Sequence, residues 1–178
     1  ENIKTLKLLE DTKLPIILIC PQEETKYYLE YNDLAVIGCP VNGIGSTRHW
    51  IKSKYFEFYD NIVMIDDDIE KIVRHIDGED EILKIDYLIN LMIKEMTDQG
   101  AYFGGLTLCP NRFFTKPTIS TNLKYISGAF QVYIKKEGAI IPKVDYRHFE
   151  DYVYNIEYYL RDGKIIRYNN IIPINYFL

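Results

Sequence analysis

The apolar run Asn61 to Ile65 ends abruptly in three consecutive aspartates, Asp66, Asp67 and Asp68. Few arrangements tolerate that junction. A short apolar run bounded by polar residues is a buried strand by its length. Three adjacent carboxylates repel one another unless something compensates them. The strand must therefore end at a sheet edge where the acids meet solvent or a ligand. In open α/β sheets that edge is where ligands bind. Hard carboxylate oxygens there suit Mg2+ or Mn2+, ions that keep some water and share diphosphate oxygens. The alternative is that one aspartate caps a following helix and the others are solvated.

The rest of the chain alternates short apolar runs with helical patterns, the signature of an α/β sheet. Strands are predicted over Leu14 to Cys20, Leu34 to Gly38, Ala101 to Leu108, Ala129 to Ile134 and Ile165 to Tyr168. Helices are predicted from about Glu23 to Tyr31, Thr47 to Phe58 and Ile82 to Met96. The last of these places Ile85, Leu88, Ile89, Met92 and Met96 on one face. A further helix starts near Glu150 and stops at Gly163, with Phe149, Val153, Ile156 and Leu160 as its apolar stripe. Pro110 to Asn122, with two prolines, is predicted to be a mobile loop. No repeat or linker divides the chain, so one domain is expected over residues 1–178.

Three more constellations carry chemistry. Cys39 to Ser46 is a glycine loop, with Gly43 and Gly45, leading into a helix that bears Arg48. It is neither a P-loop nor a complete dinucleotide fingerprint. A guanidinium there nonetheless offers a planar fork of donors to a diphosphate; otherwise the loop is an ordinary turn and Arg48 lies on a wet face. His148, Glu150 and Asp151 stand at a helix start. The two acids suit the helix dipole. Brought to the same sheet edge as the aspartates, one becomes a candidate general base for an acceptor hydroxyl, with His148 a candidate further metal ligand. Gly128, before a strand, allows close approach of a sugar or marks a bulge.

At 47% hydrophobic residues, a chain of this size buries about 70% of its unfolded surface without staples. Its three cysteines, Cys20, Cys39 and Cys109, are widely spaced, which points to reduced core thiols in a cytoplasmic setting. No run reaches the roughly 18 apolar residues of a membrane helix. A net charge of -5 gives no basic footprint for nucleic acid, so a DNA substrate would need local capture.

The run IDDDI at Ile65 to Ile69, GIGSTRHWI at Gly43 to Ile51 and HFEDYVY at His148 to Tyr154 resemble the GT-A glycosyltransferases. The resemblance is to the TET-associated glycosyltransferase family of phages and large DNA viruses. It covers Pro15 to Tyr168. It implies a single-domain, Rossmann-like GT-A fold with a mostly parallel central sheet flanked by helices. It also implies a nucleotide-sugar donor, a UDP-sugar foremost, and Mn2+ or Mg2+ held by Asp66 and Asp68. Asp66, Asp67, Arg48, Gly43, Gly45 and Gly128 would then lie near the donor, and Asp151 or Glu150 on the acceptor side. The implied acceptor is a hydroxymethylpyrimidine in viral DNA, modified in the host cytoplasm; a protein or glycan hydroxyl is the other choice. Two readings compete. A haloacid-dehalogenase-type phosphohydrolase would use Asp66 as nucleophile, although that motif favours Thr or Val where Glu70 stands. A non-catalytic nucleotide-binding module would keep the fold without turnover.

Overall fold

The computed structural model describes residues 3–29, 31, 34–143 and 149–175. Four α-helices, one 3-10 helix and ten strands are arranged in three sheets among these residues. The chain opens with α1 (Thr5–Leu8) and β1 (Ile17–Pro21). The 3-10 helix Gln22–Tyr27 leads to β2 (Ala35–Cys39), which pairs in parallel with β1. Then come α2 (Ile44–Tyr55), β3 (Asn61–Ile65), β4 (Ile69–Ile76), β5 (Glu79–Ile82) and α3 (Ile85–Gln99). After them run β6 (Phe103–Leu106), β7 (Ile119–Ser120), β8 (Phe130–Ile134), α4 (Glu150–Asp162), β9 (Ile166–Tyr168) and β10 (Ile171–Asn175).

The expected mostly parallel sheet gives way to a mixed α/β arrangement. The largest sheet has the order β3-β8-β6-β9-β7, and only β6 and β9 run parallel in it. β8 lies between β3 and β6 and is antiparallel to both. The third sheet, β10-β4-β5, is wholly antiparallel. Apolar runs alternating with helices do not fix strand direction. A strand joined to its neighbour by a two-residue turn must be antiparallel, as β4 and β5 are across Asp77 and Gly78 (φ 48° and 84°). The segment predicted as a loop carries β7, which adds an edge strand to β9 and is tied by the Asn169 amide to Thr118 and Ser120.

Because side chains alternate across a strand, the five-stranded sheet buries two clusters. Phe130 and Val132 of β8 join Leu88, Met92 and Met96 of α3 and Ile69 and Ile72 of β4. From the same strand Tyr133 joins Phe103, Tyr154 and Tyr158 under α2 and α4. The predicted face of α3 is thus the buried one, and the helix ends at Gly100 in the left-handed conformation. α4 differs from expectation. Its buried residues are Tyr154, Asn155 and Tyr158, whereas Phe149, Ile156 and Leu160 are exposed and Val153 is half-buried. Cys20 and Cys39 are buried free thiols; Cys109 is only half-buried.

Candidate functional site

β3 ends where the aspartates begin, and the backbone ladder runs one residue further: Asp66 donates its N–H to the Ala129 carbonyl at 3.1 Å. No helix follows. The aspartates form the turn that carries the chain out of the large sheet into β4, so the capping alternative fails. Thr5 clamps this turn from α1. Its N–H donates to the Asp67 carbonyl at 3.2 Å, and its buried hydroxyl donates to the Asp66 carbonyl at 2.5 Å and accepts from the Ile69 N–H at 2.9 Å. The acids are therefore presented by a backbone that is hydrogen-bonded on both sides.

Arg48 reaches the same place from the first turns of α2. Only 4% exposed, its guanidinium donates through Nη1 to Glu150 at 2.8 Å and through Nη2 to Asp66 at 3.1 Å and the Gly128 carbonyl at 3.0 Å. A Cβ on residue 128 would stand 2.6 Å from Nη1 and 2.9 Å from Cζ, so Gly128 leaves the space that Arg48 fills. One buried cation thereby joins the half-exposed acid that follows β3 to the nearly buried acid that opens α4, and it is the latter that most requires a partner. Burial is the largest influence on Asp66 and raises its carboxyl above the usual range. Arg48 opposes that rise, while Asp68 and Asp67 reinforce it.

At the start of α4, Asp151 is held at both oxygens. The Tyr125 hydroxyl donates to Oδ2, and the Tyr152 N–H donates to Oδ1 at 2.9 Å. Asn155, one turn on, clips the 125–128 segment to α4: it accepts from the Ile126 N–H at 2.9 Å and donates to the Ile126 carbonyl at 2.8 Å. Phe149 precedes the helix in the left-handed region (φ 63°) with 71% of its surface exposed. Such a backbone costs a bulky residue about 1–3 kcal/mol and is concentrated at functional sites. Behind the site lies Lys52, fully buried, its Nζ over the rings of Tyr154 (3.5 Å) and Tyr133 (4.3 Å) with no hydrogen-bond partner. An ammonium there would gain about 2 kcal/mol from the rings and lose several kcal/mol by desolvation. Burial wins, Arg48 adds repulsion, and the Lys52 amine is held well below the usual lysine range.

Arg48, Asp66, Asp67, Tyr125, Gly128, Glu150 and Asp151 are among the residues that line a cleft of about 580 Å3. Of the other expected residues, Asp68 lies outside the lining and accepts from the Asn175 amide at 3.1 Å. Gly43 caps α2 with φ 90°. Gly45, expected in the loop, is in the first turn of the helix, buried, its carbonyl accepting from the Tyr154 hydroxyl at 2.9 Å. His148 lies outside the described residues. Four contributors carried no motif: Thr5, Tyr125, Asn155 and Asn175. Of these only Asn155, a polar residue one turn after Asp151, had a periodicity that could have flagged it.

A family described as TET-Associated Glycosyltransferase matches residues 1–172 of the chain. The chain belongs to that family. Membership in the TET-associated glycosyltransferases makes the chemistry glycosyl transfer in general terms and favours it over the phosphoaspartate reading. No curated protein and no solved structure matches the chain. No helix among the described residues is long and apolar enough to cross a membrane.

Proposed function

We propose that the chain is a cation-dependent glycosyltransferase of GT-A type. It would move a sugar from a nucleotide-sugar, UDP-linked first, to an acceptor hydroxyl. The observation that carries this reading is the convergence on one cleft of carboxylates from two distant parts of the chain, Asp66 and Asp67 with Glu150 and Asp151, held together by Arg48. The donor diphosphate has a natural seat beside Ile44, where α2 begins. Among the described residues no side chain caps that terminus, and uncapped helix N–H groups favour anions.

The donor set fits an ion shared with a diphosphate rather than one caged by protein. Among the described residues no three His, Cys, Asp or Glu side chains gather as a cage. Asp66 spends Oδ1 on Arg48 and Asp68 spends Oδ2 on Asn175, which leaves each one oxygen. Mg2+ characteristically takes one or two carboxylates together with substrate phosphates. When bound, the ion would neutralise charge developing on the leaving diphosphate.

In this reading Arg48 sets the positions of Asp66 and Glu150, Asp66 and Asp67 face the donor, and Asp68, tied to Asn175 outside the lining, offers its free oxygen to the ion. Glu150 and Asp151 face the acceptor, one of them taking its hydroxyl proton. A hydroxymethylpyrimidine in viral DNA, modified in the host cytoplasm, is the acceptor the family suggests. The net charge of -5 favours a protein or glycan hydroxyl as the second reading. The test is nucleotide release from a panel of UDP-, GDP- and CDP-sugars with Mn2+ or with chelator. Release that needs the cation and is lost in Asp66→Asn is expected. Release undiminished in chelator would overturn the metal assignment, and no release from any donor would overturn the transferase reading.

A further inference from the structure

The two acids that open α4 have different surroundings. Glu150 has 13% of its side chain exposed and is ion-paired with Arg48 at 2.8 Å. Its charge is committed to a buried cation. Among the described residues no cation pairs with Asp151. It accepts two neutral donors, one on each oxygen. That fixes the plane of the carboxylate and leaves it lone pairs for a proton.

Tyr125 is the side-chain donor of the two, and it is itself held on several sides. Its ring stacks on Tyr152 with centroids 4.5 Å apart and planes 26° from parallel. Its carbonyl accepts from Arg167 Nη1 at 3.1 Å. The next residue is clipped by Asn155, and Gly128 is braced on Arg48. A hydroxyl held on so many sides is preorganised support of the kind that reactive groups need. Burial, and then Asp151 itself, hold the phenol protonated well above the usual tyrosine range, so the hydroxyl donates and the carboxylate accepts.

We propose that Asp151 is the base that takes the acceptor proton and that Tyr125 is the residue that positions it, with Glu150 serving the Arg48 brace instead. This rests on the transferase reading above. In the step so assigned, the acceptor oxygen bonds to the anomeric carbon while its proton passes to Asp151. The bond from the anomeric carbon to the diphosphate oxygen breaks, and its electron pair leaves with the nucleoside diphosphate.

The experiment measures nucleotide release from UDP-glucose with Mn2+, water serving as acceptor, by the whole chain and by Tyr125→Phe, Asp151→Asn and their double variant. Phenylalanine keeps the stacked ring and removes only the hydroxyl. Tyr125→Phe should lower kcat about 10- to 100-fold, as loss of a supporting contact does elsewhere, with KM for the donor within about twofold, since the contact lies on the acceptor side. In the Asp151→Asn background the same change should add nothing, because residues acting through one group are not additive. An unchanged kcat in Tyr125→Phe, or a loss that multiplies with that of Asp151→Asn, overturns the inference and leaves the transferase reading standing. A wild-type chain inactive on UDP-glucose but active on another sugar nucleotide moves the test to that donor, where the same two outcomes decide. Inactivity on every donor removes the reading and the inference together.

Discussion

α3 and α4 each carry apolar residues at helical spacing, yet they turn opposite faces inward. In α3, Ile85, Leu88, Ile89, Met92 and Met96 pack against β6 and β8. In α4, Phe149, Ile156 and Leu160 point to solvent, and Tyr154, Asn155 and Tyr158 are buried instead. The difference lies in what each helix meets. α3 covers an apolar sheet face, where burial of hydrocarbon decides the rotation of the helix. α4 must deliver Glu150 to Arg48, Asp151 to Tyr125 and Asn155 to Ile126. Those contacts fix its rotation, and tyrosines can join a polar interior that leucines could not.

If polar contacts hold α4, breaking the brace should cost more than truncating a fully buried residue of α3. Arg48→Met leaves Glu150 buried without its cation and the Gly128 carbonyl without its donor, and is expected to cost about 4 kcal/mol. Most of that belongs to Glu150, because Asp66 has 43% of its side chain exposed and is screened. Met92→Ala, at a fully buried position, is expected to cost about 3 kcal/mol through lost burial and the cavity left behind. Urea unfolding monitored by circular dichroism ranks the two. The reverse order would mean that α4 is seated by its tyrosines, with the brace a passenger.

What could be read from the sequence follows from the same contrast. Position and period sufficed for the buried face of α3, for the strand ending at Ile65 and for the stop of α4 at Gly163, because each is decided within a few residues of itself. The expected start of α3 at Ile82 was wrong, since Ile82 ends β5 and the helix runs Ile85–Gln99. Asp77-Gly78 is a hairpin signal of the same local kind, although the β4–β5 hairpin it makes was not among the predicted elements. The face of α4, the antiparallel entry of β8 between β3 and β6, and the clamp by Thr5 depend on partners 61 or more residues away in the case of Thr5 and 102 in the case of Arg48 and Glu150. Asp66 and Asp67 were legible because carboxylates after an apolar strand are conspicuous, and Glu150 and Asp151 because paired acids open a helix. Tyr125 was not, since a tyrosine in a chain with 16 of them carries no signal until a carboxylate is seen against it.

Lys52 sharpens the comparison from the polar side. A lysine held well below its ordinary value of 10.5 when folded binds a proton on unfolding at every pH between its folded value and 10.5. Wild-type stability therefore rises with pH across that window and is lowest at its acid end. Lys52→Met, of similar length and able to contact the same rings, removes the proton uptake. It should stabilise the fold by about 1–2 kcal/mol at neutral pH, with the gain shrinking toward pH 9 by at most about 1.4 kcal/mol per pH unit. Measurements kept below pH 9 avoid ionising tyrosines in the unfolded chain. A gain that does not change with pH would show that Lys52 is charged when folded and held by the rings after all.

The smallest effect is expected on the outward face of α4. Leu160, 74% exposed, leaves little apolar area for a substitution to lose, and glutamine is nearly as good a helix former as leucine. Leu160→Gln should therefore change stability by less than about 0.5 kcal/mol, as surface substitutions generally do. The same unfolding measurement, repeated at several protein concentrations, gives this comparison its sharpest edge. A loss above about 1 kcal/mol that grows with concentration would mean that the stripe is covered by a second copy in solution. The rotation of α4 would then be set from both sides, by the acids within and by a partner without.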